Sequence, residues 1–135
     1  WLGDQLTGLS SFPPVLLVAS VCTLLTFLTE LTSNTATTQV ILPVLGSLAV
    51  AIQVNPLLVM IPATLSASCA FMLPVATPPN AIVFGTGEVR MHHMIKSGIL
   101  LNLIGVVLVT LFIYLLGTAV FHIDLTQFPD WAVIK

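Results

Sequence analysis

Charge is what this sequence lacks. Lys and Arg together number 3 and Asp and Glu number 5, so only 6% of 135 residues are charged. A soluble surface draws about a quarter of its residues from those four types, so this chain cannot coat a globule in water. A hydrophobic content of 57% and a mean hydropathy of +1.12 make lipid the solvent that fits. The scarcity excludes other classes too. There is no basic patch for nucleic acid and no acidic tail. No nucleophile–base pair, phosphate loop or HExxH motif occurs, so nothing supports an enzyme or an organic cofactor. Cys22 and Cys69 lie in apolar runs without metal-like spacing and read as small buried side chains. The opening residues carry Asp4 and no positive stretch, so no signal peptide is expected there. Lacking an initial Met, the chain reads as an internal piece of a longer polypeptide.

What is present is four apolar runs, at 14–31, 40–54, 56–75 and 97–121. About 20 apolar residues cross a bilayer as a helix, which the third and fourth satisfy, while the first is borderline and the second short. Residues 32–39, Thr-Ser-Asn-Thr-Ala-Thr-Thr-Gln, are polar but uncharged, with no Gly or Pro. That suits a tight reversal inside protein, so 14–54 is expected to be a re-entrant helical hairpin with its tip at 32–39. Two full spans joined by a polar turn is the alternative. The third run leads into Ala76-Thr77-Pro78-Pro79-Asn80 and becomes apolar again from Ala81 to Phe84. A continuous helix over 56–89 would be about 50 Å long, beyond the ~30 Å hydrocarbon core. Prolines lack an N–H and push the preceding residue out of helical geometry. A broken transmembrane helix over 56–88 is therefore expected, with the break near 76–78 and Pro79 opening a new half-helix. A plain proline kink or a solvent loop is the bland alternative.

Arg90, His92, His93 and Lys96 cluster between the third and fourth runs, whereas the end of the chain holds Asp124, Asp130 and only Lys135. The positive-inside rule puts 89–96 in a cytoplasmic loop, 97–121 in one full transmembrane helix, and both the segment 1–13 and the tail 122–135 outside. Trp1, Phe12, Phe128 and Trp131 suit interfacial anchors. Glu88, His92 and His93 read as part of that loop, since adjacent helical histidines diverge and no third ligand is near.

No Lys or Arg falls within an apolar run. An anion bound at mid-membrane would therefore depend on helix N-termini, hydroxyls, amides and bound cations. Ser33 or Asn34 can cap a helix starting near Thr35, and a second N-terminus is expected at Pro79-Asn80. The helix ends facing them, near Leu31 and Val75, offer carbonyls suited to sodium, the recurring plan of secondary transporters. Thr23, Thr26, Thr29, Thr32, Thr35 and Thr38 recur every three residues. Thr23 and Thr26 are expected to bond carbonyls one turn back, and Thr29 and Thr32 to face the path beside the break. Glu30, the one acidic residue within an apolar run, reads equally as a proton site or cation partner, as a protonated carboxyl, or as a partner of the hairpin-tip backbone.

The run Leu28-Thr29-Glu30-Leu31-Thr32-Ser33-Asn34-Thr35-Ala36-Thr37-Thr38 resembles the second Ser-Asn-Thr signature of the divalent anion:sodium symporters. So does Ser68-Cys69-Ala70-Phe71-Met72-Leu73-Pro74-Val75-Ala76-Thr77-Pro78-Pro79-Asn80-Ala81, and Phe128-Pro129-Asp130-Trp131-Ala132 is similar to the family's C-terminus. The resemblance implies the C-terminal part of a sodium-coupled dicarboxylate or citrate transporter, an all-α integral membrane protein built from inverted repeats. It implies that Ser33, Asn34, Thr35, Thr77 and Pro78 touch a substrate carboxylate, and that Thr29, Thr32, Asn34 and Ala76 bound a sodium site. It further implies a homodimer in the cell membrane, an elevator motion, and an N-terminal repeat of the same protein supplying the other half of the site. The fragment alone is expected not to transport. The rivals are an anion or arsenite-type permease not coupled to sodium, and a helical membrane subunit with no transport role.

Overall fold

The computed structural model describes residues 13–121, 123 and 128–132. All regular structure among them is helical. The first helix, α1, spans Pro14–Thr29 and opens on a proline, whose missing N–H is free of cost at that position. A turn over 30–33 leads to α2, Asn34–Ala51, where the Ser33 side chain accepts from the Ala36 N–H at 3.4 Å. Asn55 caps α3, Pro56–Ser66, by accepting from the Leu57 N–H at 3.0 Å. Residues 67–77 contain no helix, and α4 then runs over Pro78–Gly85. The long α5 covers Met91–Leu115, followed by the single turn α6, Gly117–Val120, and a 3₁₀ turn at Asp130–Ala132.

The short α3 is the hub. Helices α1, α2 and α5 all pack against it, and α1 and α2 touch each other little. Its Leu58, Val59 and Ala63 are buried against Leu17, Val18, Cys22 and Leu25 of α1 and Val106 and Ile113 of α5. No residue of α4 is buried. Two helices, α2 and α5, are long and apolar enough to cross a membrane, about 27 and 37 Å at 1.5 Å per residue. Exposed Leu100, Leu101, Leu103 and Leu108 on α5 fit a hydrocarbon solvent, in which the backbone and not the side chains must be satisfied internally.

Four boundaries differ from the sequence reading. The turn between α1 and α2 occupies 30–33, not the 32–39 expected for a hairpin tip, because Ser33 captures an N–H of the first turn and draws the polar residues 34–39 into α2. That lengthens the second apolar run into an 18-residue helix. The third run is not one spanning helix: α3 ends at Ser66, so the break opens at Ala67, well before Ala76. The next helix begins at Pro78, with Thr77 as its cap accepting from the Asn80 N–H at 3.4 Å, and Pro78 and Pro79 fill the first two of the positions whose N–H would lack an intrahelical partner. Residues 91–96, expected in a loop, form the start of α5. Gly87, at φ 77°, lies in the turn between α4 and α5, and charge marks depth in a membrane rather than helix ends. The expectations for Trp1, Phe12, Asp124 and Lys135 lie outside the described residues, with most of 1–13 and 122–135.

The unwound 67–77 segment needs partners for its backbone. Asn80 Nδ2 donates to the carbonyls of Ala70 (2.9 Å) and Leu73 (3.0 Å). Asn80→Ala removes both bonds; the Leu73 carbonyl keeps the Ala76 N–H, but the carbonyl of buried Ala70 is left without a partner, which costs about 1–3 kcal/mol. In the full-length parent, thermal unfolding of Asn80→Ala is expected to show a lower midpoint, and Asn80→Asp, an acceptor facing two acceptors, a midpoint at least as low.

Candidate functional site

Two helix breaks meet at one end of the packed helices. The turn after α1 presents Leu31, Thr32 and Ser33, the start of α2 presents Asn34 and Thr35, and the unwound segment presents Val75 and Ala76. Together these residues line a cavity of about 450 Å³. The N-terminus of α2 forms part of its wall. The first N–H groups of a helix have no intrahelical partner, and their dipoles favour an anion. No Lys, Arg or His is among the lining residues.

Behind the cavity lies a group of oxygens. Thr29, fully buried, donates its hydroxyl to the Ala67 carbonyl at 2.8 Å and also lies against Asn34 Oδ1. Thr26 donates to the Ser66 carbonyl at 3.4 Å. These carbonyls sit at the C-terminus of α3, where they lack intrahelical donors. A hydroxyl, an amide oxygen and a carbonyl are hard donors of the kind that small alkali and alkaline-earth cations take. Asn34 belongs to both places, lining the cavity and touching the oxygen group.

The threonine ladder divides. Thr23 bonds the Ala19 carbonyl one turn back at 2.7 Å, as expected, whereas Thr26 reaches across to α3 instead. Thr32 lines the cavity but directs its hydroxyl to the Leu28 carbonyl (2.9 Å) and shares a 2.6 Å bond with Thr37. Thr35 is exposed at the cavity. Of the residues assigned to substrate, Ser33, Asn34 and Thr35 come together. Thr77 and Pro78 follow Ala76 in the chain but are not among the lining residues. Of those assigned to sodium, Thr29 and Asn34 meet, Thr32 and Ala76 lie on the cavity side, and Ala67 joins the oxygens instead.

Three partners went unforeseen: Ala67, Asn80 and Asn102. Glu30, whose role was open, is 3% exposed and pairs with the unwound segment and Asn102, not with the backbone of 32–39. Its Oε1 takes the N–H groups of Phe71 (2.7 Å) and Met72 (2.9 Å) and the Asn102 amide (2.7 Å), and Oε2 takes the Leu73 N–H (3.0 Å). Asn102 is the one amide side chain within the fourth apolar run, which was a signal for it. Ala67 carried none, because it acts through its backbone. His92 and His93 are exposed with ring centroids 5.9 Å apart, and no group of three metal-ligating side chains occurs among the described residues.

Thr29→Val keeps the shape and deletes the donor. The Ala67 carbonyl then loses its partner inside the fold, a loss of about 1–3 kcal/mol. The melting midpoint of the full-length parent should fall for Thr29→Val and stay near wild type for Thr29→Ser, which keeps the hydroxyl.

Comparison with known proteins adds four observations. The family described as the sodium:sulfate symporter transmembrane region matches residues 1–123. Solute carrier family 13 member 2 of Rattus norvegicus is 52% identical over 132 residues, 98% of this chain and 22% of the relative. The Na(+)/citrate cotransporter of Rattus norvegicus is 48% identical over 98% of this chain and 23% of its own length. The sodium-dependent dicarboxylate transporter SdcS of Staphylococcus saprophyticus is 49% identical over 94% of this chain and 24% of its own length. The chain thus spans under a quarter of the length of these curated relatives, which are transporters and not enzymes.

Proposed function

The chain belongs to the sodium:sulfate symporter transmembrane family, and from that premise we propose that it forms one half of the substrate site of a sodium-coupled transporter for di- or tricarboxylates. The observation that carries this is the cavity walled by Ser33, Asn34, Thr35 and Ala76, which meets an anion with a helix N-terminus and no cationic side chain. Relatives named for sodium with citrate or dicarboxylate support the choice of ions.

The physics makes coupling a consequence of the missing cation. A dianion in a low-dielectric cavity faces a large desolvation cost, and dipoles alone offset little of it. Sodium bound at Thr29, Thr32, Asn34 and Ala76, with Thr29 and the Ala67 carbonyl behind the cavity and Thr32 and Ala76 on its side, supplies the positive charge. The carboxylate then binds at Ser33, Asn34, Thr35, Thr77 and Pro78. Asn34, which touches both groups of residues, is the link through which one ion favours the other, and such coupling is reciprocal. Residues 14–54 form a re-entrant hairpin entering from outside, 89–96 face the cytoplasm and the tail is external, in keeping with the basic residues at Arg90 and Lys96. The other repeat of the same polypeptide completes the site, the whole works as a homodimer by an elevator motion, and this segment alone does not transport.

Uptake of radiolabelled succinate into proteoliposomes holding the full-length parent should require an inward sodium gradient. No uptake with sodium, with citrate and sulfate also tried, would sink the reading. Asn34→Ala should abolish both sodium and substrate binding, measured separately by calorimetry, whereas a change confined to substrate would remove Asn34 from the sodium site.

A further inference from the structure

We propose that Gly98 and Asn102 of α5, which lie outside the cavity, are positioning residues for the anion site, acting on it through the unwound segment. The proposal rests on the transport reading above for its functional readout, though not for its structural one.

The two residues are four apart and share one face of the helix. At Gly98 the unwound backbone comes so close that no side chain fits. A Cβ built there would lie 2.4 Å from Met72 Cα, 2.5 Å from the Phe71 carbonyl oxygen and 2.7 Å from the Met72 nitrogen. All three are backbone atoms, so the strain cannot be relieved by turning a side chain. Gly105, two turns along, differs: its Cβ would meet only Cys69 Sγ at 3.7 Å and Cys69 Cβ at 3.9 Å, ordinary contacts. Of the two glycines of α5, only Gly98 meets backbone, at the place where 71–72 rest.

One turn further, fully buried Asn102 donates to Glu30 Oε1 at 2.7 Å, orienting the carboxylate that holds the N–H groups of residues 71–73. Leu73 then transmits the placement. Its N–H is held by Glu30 at 3.0 Å, while its carbonyl accepts from the Ala76 N–H at 3.1 Å and from Asn80 Nδ2 at 3.0 Å. Pro74 follows directly and fixes its own φ. Ala76 is a wall of the cavity. A shift at Gly98 or Asn102 therefore reaches the wall through rigid links, without either residue touching an ion.

The test uses the full-length parent with Gly98→Ala, Asn102→Ala and the control Gly105→Ala. Two quantities are read: half-saturation against maximal rate of sodium-driven succinate uptake, and hydrogen exchange of peptides covering 67–77. Asn102→Ala should raise the half-saturation concentration about tenfold, the effect of losing a hydrogen bond to a charged group, with maximal rate per folded transporter largely kept. Exchange at 71–73 should quicken while α3 and α5 stay protected. Gly98→Ala should do the same more strongly, and Gly105→Ala should match wild type in both. If Gly98→Ala does not fold, Asn102→Ala decides alone. Folded Asn102→Ala with wild-type exchange at 71–73, or with a lowered maximal rate and unchanged half-saturation, would overturn the proposal. If the wild-type parent shows no sodium-dependent uptake, the transport reading fails, and the exchange data still decide whether α5 positions the segment.

Discussion

A backbone that leaves helical geometry inside a membrane protein must find other partners for its N–H and C=O groups, since lipid offers none. In this chain the obligation falls on residues 67–77, and Glu30 meets much of it. One buried carboxylate takes three consecutive N–H groups, from Phe71, Met72 and Leu73, and the amide of Asn102. Charge-assisted hydrogen bonds are about twice as strong as neutral ones, and here they join the end of α1, the unwound segment and α5. Asn80 does the complementary work by donating to the carbonyls of Ala70 and Leu73. Donor and acceptor sides of the break are thus held by separate side chains from opposite directions.

That clamp explains how a site can be built from so few charges. Once 71–73 are held, Val75 and Ala76 face the turn at 31–35 across the cavity, and the C-terminal carbonyls of α3 face Thr26 and Thr29. The N-terminal end of one helix and the C-terminal end of another therefore converge, which puts positive and negative ends of backbone dipoles side by side. An anion and a cation can each find their own pole within a few residues. The short α3 ends beside this group: the Ser66 carbonyl accepts from the Cys69 N–H and from Thr26, and the Ala67 carbonyl just past it accepts from Thr29, while α1, α2 and α5 pack around α3.

Glycine and asparagine carry more of this architecture than hydrophobic packing alone would suggest. The apolar core of α1, α3 and α5 sets the distance between helices, but Gly98 sets how near the unwound backbone may come, and Asn102 sets where the carboxylate points. The network holds the carboxylate through its donors alone, because the Asn102 Oδ1 on the other side of the amide is buried without a partner.

The sequence by itself determined the solvent, the helical class, the presence of two breaks and the helix start at Ser33-Asn34, because these follow from local properties: hydropathy, run length, proline chemistry and capping. It also carried the family, since the motifs at 28–38 and 68–81 are contiguous. It misplaced the ends of helices wherever a cap or a distant partner decided them, as at Ala67, where the apolar run continues but the helix does not, and at Met91, where charge was mistaken for a loop. The role of Glu30 was beyond it. That carboxylate finds its partners 41 to 43 and 72 residues away, and contacts at such separations are decided only when α1, α3 and α5 have packed and brought the unwound segment within hydrogen-bonding reach.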